Sequence, residues 1–311
     1  MSDTADAVVI GAGPNGLVAA NALAEAGWDT VVLEAADEVG GAVRSGNVTA
    51  PDFITDLFSA FYPLAAASPV LRGLELDRHG LHWVKAPAVL GHALPDGRAV
   101  VLHDQPEATA ASVSQFAPAD GQAWLNLFDS WQRIRDPLLD ALFRPFPPVR
   151  PLATILRRLG VHGTVDFARL AVTPVRRFAQ ERFAGEGAAL LLAGNSLHSD
   201  LTPDAAGSGI FGYLLAMLGQ DVGFPVPQGG AGQLATALRR RAESYGAQFL
   251  CGERVTHVDV VGGRATAVHT QERSLKVRRA VLADVSAPAL YRELLEPGAV
   301  PPALLRYLNT F

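Results

Sequence analysis

Apolar and polar positions alternate between two regimes along the chain. Ala7 to Ile10 is a short apolar, β-branched run, the pattern of a parallel strand buried on both faces. Leu17 to Ala26 is rich in Ala and Leu, which predicts a helix, and Gly27 suits its C-terminal end. Thr30 to Leu33 repeats the buried-strand pattern and ends on Glu34. Phe53 to Pro69 is apolar with small residues. Short strands are then predicted from Trp83 to Leu102, with Pro95-Asp96-Gly97 turning between Val89–Leu94 and Ala99–Leu102. From Gln105 to about Leu218 the pattern is mainly helical. Ala119 to Leu142 carries Trp124, Leu127, Phe128, Trp131, Ile134 and Leu138 at helical spacing, a stripe read as core. Phe143 to Pro151 reads as an Arg- and Pro-rich loop. Helices resume near Leu152, Val175 and Glu186, and Gly194 to Ser199 reads as a polar break. After Phe224 the first regime returns. A helix to about Ser244 precedes strands at Ala247–Leu250, Arg254–Val261, Ala265–His269 and Arg279–Asp284, with Gly262-Gly263 as a hairpin turn.

The first strand-to-helix junction carries the clearest chemistry. Gly11, Gly13 and Gly16 stand at G-x-G-x-x-G spacing, with Pro14 and Asn15 between the last two. In such a junction the first glycine permits the tight turn, the second lets a pyrophosphate approach the backbone, and the third lets helix and strands pack closely. The free N–H groups at the helix start face the phosphates. Glu34 lies where an acid accepts hydrogen bonds from a ribose diol. The spacing alone is weak evidence, but strand, glycines, helix, strand and acid occur in order. Gly207, Gly209 and Gly212 show the same spacing without a preceding strand. Thr202-Pro203-Asp204 reads as a helix start, so these glycines are expected to serve helix packing.

Composition narrows the possibilities. Hydrophobic residues make up 49% of 311 and charged residues 18%, which indicates a folded chain able to hold two domains. A net charge of −5 argues against a nucleic-acid surface. Arg239-Arg240-Arg241 is expected on a solvated helix face. One cysteine, Cys251, excludes an internal disulfide and a C-x-x-C redox pair; it is expected to be a small buried residue in a reducing, cytoplasmic compartment. No cleavable leader is expected, and the longest apolar stretch, near Ile210 to Leu218, is too short to span a membrane. No metal-ligand cluster is visible. His198 is the one weak candidate for acid–base chemistry, against a plain loop histidine bonded to backbone.

Gly40-Gly41 with Arg44 and Ser45, and the later segment Pro227-Gln228-Gly229-Gly230 leading into a helix with Leu234, resemble fingerprints of the FAD-dependent amine-oxidase and phytoene-desaturase superfamily, in particular its phytoene-dehydrogenase-like branch. The resemblance implies an α/β fold: a Rossmann-like FAD-binding domain split in sequence (1–65 and 222–311), with an inserted, mainly helical cap or substrate region (66–221). It implies that FAD meets Gly11, Gly13, Pro14, Asn15, Gly16, Glu34 and Ala35, that Gly40 and Gly41 approach the pyrophosphate, and that Arg44 offsets its charge. The backbone at Val255 is implied to touch the adenine, with Asp284 where the flavin-side crossover begins. An apolar substrate would lose a hydride to the flavin. With Lys85 and Lys276 the only lysines, the lysine–water pair of amine oxidases has no candidate, which favours desaturase-like chemistry. Members of the superfamily carry a further C-terminal Gly-Asp fingerprint that this sequence lacks. A truncated non-catalytic nucleotide-binding or scaffold relative and one half of a two-chain enzyme therefore stay open. So, separately, do NAD(P) in the first site, where Glu34 would favour NAD over NADP, a homo-oligomer and a peripheral membrane contact.

Overall fold

The computed structural model describes residues 3–310. The chain divides into two compact units, one of Met1–Ala60, Glu75–Trp83 and Val226–Phe311, the other of Phe61–Leu74 and Val84–Pro225.

The first unit is built on a six-stranded sheet. Strand β1 (Thr4–Ile10) leads into helix α1 (Pro14–Glu25), and strand β2 (Thr30–Glu34) follows. The sheet order is Val255–Val261, Arg264–Thr270, Ser274–Ala283, β1, β2, Gln248–Cys251. Strand Ser274–Ala283 changes partner along its length. Its first residues pair antiparallel with Arg264–Thr270, and from Lys276 onward it runs parallel to β1, Ile10 facing Ala283. Ala5, Ala7, Val8 and Val9 are fully buried, as the uninterrupted apolar run requires. Helix α1 packs on helix Gly232–Ser244 through a buried polar tie. Asn21 Nδ2 donates to the carbonyls of Leu17 and Leu238, both at 2.8 Å. Arg241 donates to Asn21 Oδ1 at 3.2 Å and pairs with Glu25 at 3.1 Å. Arg241 is thus buried, contrary to the solvated face expected of the three consecutive arginines, because two helix-borne acceptors receive it in the interior.

The second unit is mainly helical around a core holding Trp124, Trp131, Phe178, Leu191 and Met217. Its helices include Asp120–Leu142, Val149–Val172, Val175–Arg182, Glu186–Leu197 and Ser208–Val222, with an antiparallel hairpin of Ala88–Ala93 and Ala99–His103. The Trp124 indole N–H donates to Gln220 Oε1 at 2.8 Å, which satisfies its one polar atom inside the core. A Cβ on Gly209 would lie 2.6 Å from the carbonyl oxygen of Thr173, and one on Gly212 would lie 2.6 Å from that of Leu192. These glycines mark close packing of helices against backbone, as read from their context.

Three further expectations are corrected. Gly194 to Leu197 is no break, since the helix continues to Leu197 and the Asn195 side chain bonds back to the Leu191 carbonyl at 2.8 Å. The helix expected to open at Thr202 begins at Ser208 instead, after turns. Cys251 is only half-buried, on the edge strand Gln248–Cys251. Among the described residues no helix is long and apolar enough to cross a membrane.

Candidate functional site

The site forms where β1 ends. Gly11 turns the chain with φ +95°, a conformation that a side chain disfavours. Its N–H donates to the Leu33 carbonyl at 2.8 Å, which holds the turn against β2. A Cβ on Gly11 would lie 2.5 Å from the carbonyl oxygen of Asp284, and one on Gly16 would lie 2.2 Å from that of Gly11. Both clashes are with backbone. Gly13 differs, since its nearest atom would be a side-chain oxygen, Asp284 Oδ2, at 2.9 Å. Pro14 opens α1, and Asn15 beside it is exposed.

Glu34 sits at the end of β2 with both carboxylate oxygens engaged. The Ala12 N–H donates to Oε2 at 2.7 Å and the Ala36 N–H to Oε1 at 2.8 Å. Each oxygen keeps lone-pair capacity for a further donor. The Gly40–Gly41 segment folds onto the glycine turn. The Gly40 N–H donates to the Ala12 carbonyl at 2.8 Å, and a Cβ on Gly41 would lie 3.1 Å from Gly13 Cα. Asp284, delivered by the neighbouring strand, accepts the Gly16 N–H on Oδ2 at 2.8 Å. A carboxylate thus caps the start of α1, where the helix dipole favours negative charge. The N–H groups of Gly13 and Asn15 have no protein acceptor among the described residues.

These groups converge on one cavity of about 470 Å³, to which Gly11, Gly13, Glu34, Ala35, Gly41, Val255 and Asp284 all contribute. Several lining residues escaped the sequence reading. Glu253 is one: its carboxylate accepts the Thr270 hydroxyl and the Arg273 Nε–H, both at 2.7 Å, and these contacts hold it below the usual glutamate range. Arg254 and Glu293 are others, and neither has an ion-pair partner among the described residues. Glu253 and Arg254 directly precede Val255, so the start of that strand was the available signal.

Arg44 is not brought to this cavity. Its Nε–H donates to the Gly41 carbonyl at 3.0 Å and its guanidinium lies 5.6 Å from the Phe58 ring centroid. It lines a separate cavity of about 540 Å³ with Ser45 and Gly232. There the two glycine-rich fingerprints meet. Ser45 Oγ donates to Asp56 Oδ1 at 2.7 Å and accepts the Gly232 N–H at 3.0 Å, so it secures the start of helix Gly232–Ser244. His198 belongs to the second unit, exposed at the C-terminal end of helix Glu186–Leu197.

A sheet whose strands around β1 run parallel, with a glycine turn, a helix start and a terminal acid around one cavity, defines a dinucleotide-binding domain of the flavoprotein kind. The chain belongs to the family of flavin containing amine oxidoreductases, whose sequence model matches residues 15–309, and the cofactor of this family is FAD. It is 29% identical to pyridine nucleotide-disulfide oxidoreductase domain-containing protein 2 of Mus musculus, over 98% of this chain and 57% of that protein. It is also 29% identical to a phytoene dehydrogenase of Streptomyces griseus, over 92% of this chain and 55% of that one. An oxidoreductase of Methanosarcina mazei shares the fold with a TM-score of 0.64 at 17% identity, covering 98% of this chain and 65% of that one. The chain therefore spans little more than half the length of the curated relatives it matches. Dithiol chemistry of the kind the mouse protein's name mentions has no pair of thiols here, since Cys251 is the only cysteine.

The cavity suits the ADP half of FAD on its own geometry. It offers a side-chain-free approach at Gly13, the Gly13 N–H without a protein acceptor among the described residues, and a carboxylate placed to receive a ribose diol. An acid there repels a 2′-phosphate, which disfavours NADP.

Proposed function

We propose that this chain forms the nucleotide-binding part of an FAD-dependent oxidoreductase of the phytoene-desaturase type, acting on an apolar small molecule. The observation that carries the reading is the convergence of Gly13, Glu34, Gly41 and Val255 on one cavity beside the start of α1. In this reading the N–H groups of Gly13 and Asn15 bind the diphosphate and Glu34 holds the adenosine ribose. Ala35 and Val255 flank the adenine, and Gly11 and Gly16 keep the turn tight. Pro14 presets the first helical residue. Asp284 orients the helix start, while Gly40 and Arg44 fix the Gly41 turn against Gly13. When bound, FAD supplies the two-electron oxidising chemistry, while the protein orients and shields it. The substrate would be met by the mainly helical unit, with His198 its weak candidate for proton transfer.

The reading is tested by purifying the full chain and titrating it with FAD. Saturable uptake at micromolar FAD, with a flavin spectrum bleached anaerobically by an apolar substrate, is the expected result. A chain that takes up no FAD defeats the proposal.

A further inference from the structure

The second unit holds a cavity of its own, of about 340 Å³, within the usual range for small-molecule sites. Its floor is apolar and buried, formed by Leu127, Ile134, Leu170 and Phe178. One polar group lies in that floor. Tyr213 is 2% exposed, and its hydroxyl lies 3.3 Å from Ser130 Oγ, long for an O–H···O bond. Ser130 itself donates to the Leu127 carbonyl at 2.6 Å, so the phenol O–H is the donor in the longer, weaker contact and would turn from Ser130 to an anionic head on binding. Burial raises the Tyr213 pKa to about 12, which keeps the phenol a neutral donor.

The mouth carries charge of one dominant sign. Arg133, Arg158 and Arg182 line it, and none of them pairs with a carboxylate among the described residues. The Arg158 guanidinium donates to the Arg133 carbonyl at 3.1 Å, which places it at the rim beside that residue. Arg182 lies over Phe178, its guanidinium carbon 4.4 Å from the ring centroid, close enough for its charge to act on the Tyr213 hydroxyl. Asp166 is the single lining acid. Three arginines without counter-ions above a buried apolar floor ask for an anion with an apolar body. Arginine serves this purpose well, since its planar fork matches a carboxylate.

We propose that this cavity binds a single-chain carboxylate, its chain on the Leu127–Phe178 floor and its head met by Arg182 and the Tyr213 hydroxyl under the field of Arg133 and Arg158. At about 30 Å³ per heavy atom, a water's share of its liquid, the space holds roughly eleven heavy atoms, close to decanoate with its carboxylate at the open mouth, so decanoate is the probe. This site is independent of the flavin reading and is tested without FAD.

Titration calorimetry of the full chain compares decanoate with decanol. Decanoate is expected to bind at least about tenfold tighter, the usual scale of a hydrogen bond to a charged group. Arg182→Gln and the double variant Arg133→Gln/Arg158→Gln each remove most of that preference, and Tyr213→Phe weakens decanoate a few-fold. Far-UV circular dichroism and melting curves identify any variant that has lost its fold. Equal binding of acid and alcohol, no binding of decanoate below its micellar concentration, or undiminished binding in folded arginine variants would overturn the proposal.

Discussion

The three glycines of the first turn are not equivalent. Gly11 and Gly16 face backbone oxygens that cannot withdraw, whereas Gly13 faces only the tip of Asp284 and the cavity. Their requirements therefore have different origins, two in the fold and one in the ligand. Gly13→Ala should leave unfolding free energy within about 1 kcal/mol of the parent, while weakening FAD binding at least tenfold. Gly16→Ala should cost about 1–3 kcal/mol through overpacking, in addition to its effect on FAD. Urea unfolding and fluorescence titration on the same preparations check both. An equal stability loss in the two variants would show that Gly13 also serves the fold. Asp284 adds to this scale, because its carboxylate occupies the Gly16 N–H and so leaves the neighbouring N–H groups for a phosphate.

At the level of elements, the strand that begins at Val255 depends on Glu253. Thr270 and Arg273 hold the Glu253 carboxylate below its ordinary value, and the Glu253 N–H donates to the Glu34 carbonyl at 2.8 Å. A carboxyl depressed on folding contributes stability that is present above its unfolded value and lost as pH falls through the folded one. Stability should therefore drop as pH is lowered below the ordinary glutamate value of 4.5, and Glu253→Gln should flatten that part of the profile. Denaturant midpoints at stepped pH measure the difference, and identical slopes would rule the contribution out. The β1–α1–β2 unit was legible in the sequence because its signals are local: apolar runs, glycines at a turn, an acid at a strand end. The hairpin of Ala88–Ala93 and Ala99–His103 was legible for the same reason, with Asp96-Gly97 at its turn. What stayed hidden depends on tertiary partners. Arg241 looks solvated until Asn21 and Glu25 are placed beside it. The pairing of Ser45–Ala50 with Phe53–Asp56 has no strong alternation to announce it. Ser274–Arg278, by contrast, alternates buried Leu275 and Val277 with exposed Lys276 and Arg278, a local strand signal that the reading of Arg279–Asp284 alone passed over.

Across the whole first unit, charge is unevenly suited to an anionic cofactor. Glu34, Glu253, Asp284 and Glu293 line the nucleotide cavity against Arg254 alone, in a chain of net charge −5. Backbone N–H groups must then supply the attraction at short range, while side-chain charge repels at long range. Raising salt from about 0.05 to 0.5 M screens the repulsion, so FAD affinity should hold steady or tighten by up to about threefold. A tenfold weakening in the same titration would point to an arginine clamp instead. The contact of Asp284 with Gly16 joins positions 268 apart in the sequence. On the ribosome, the turn after β1 emerges first, and Gly16 waits through 268 further positions before Asp284 arrives beside it. A nascent chain halted before Arg279 would carry the glycine signature with nothing to close it.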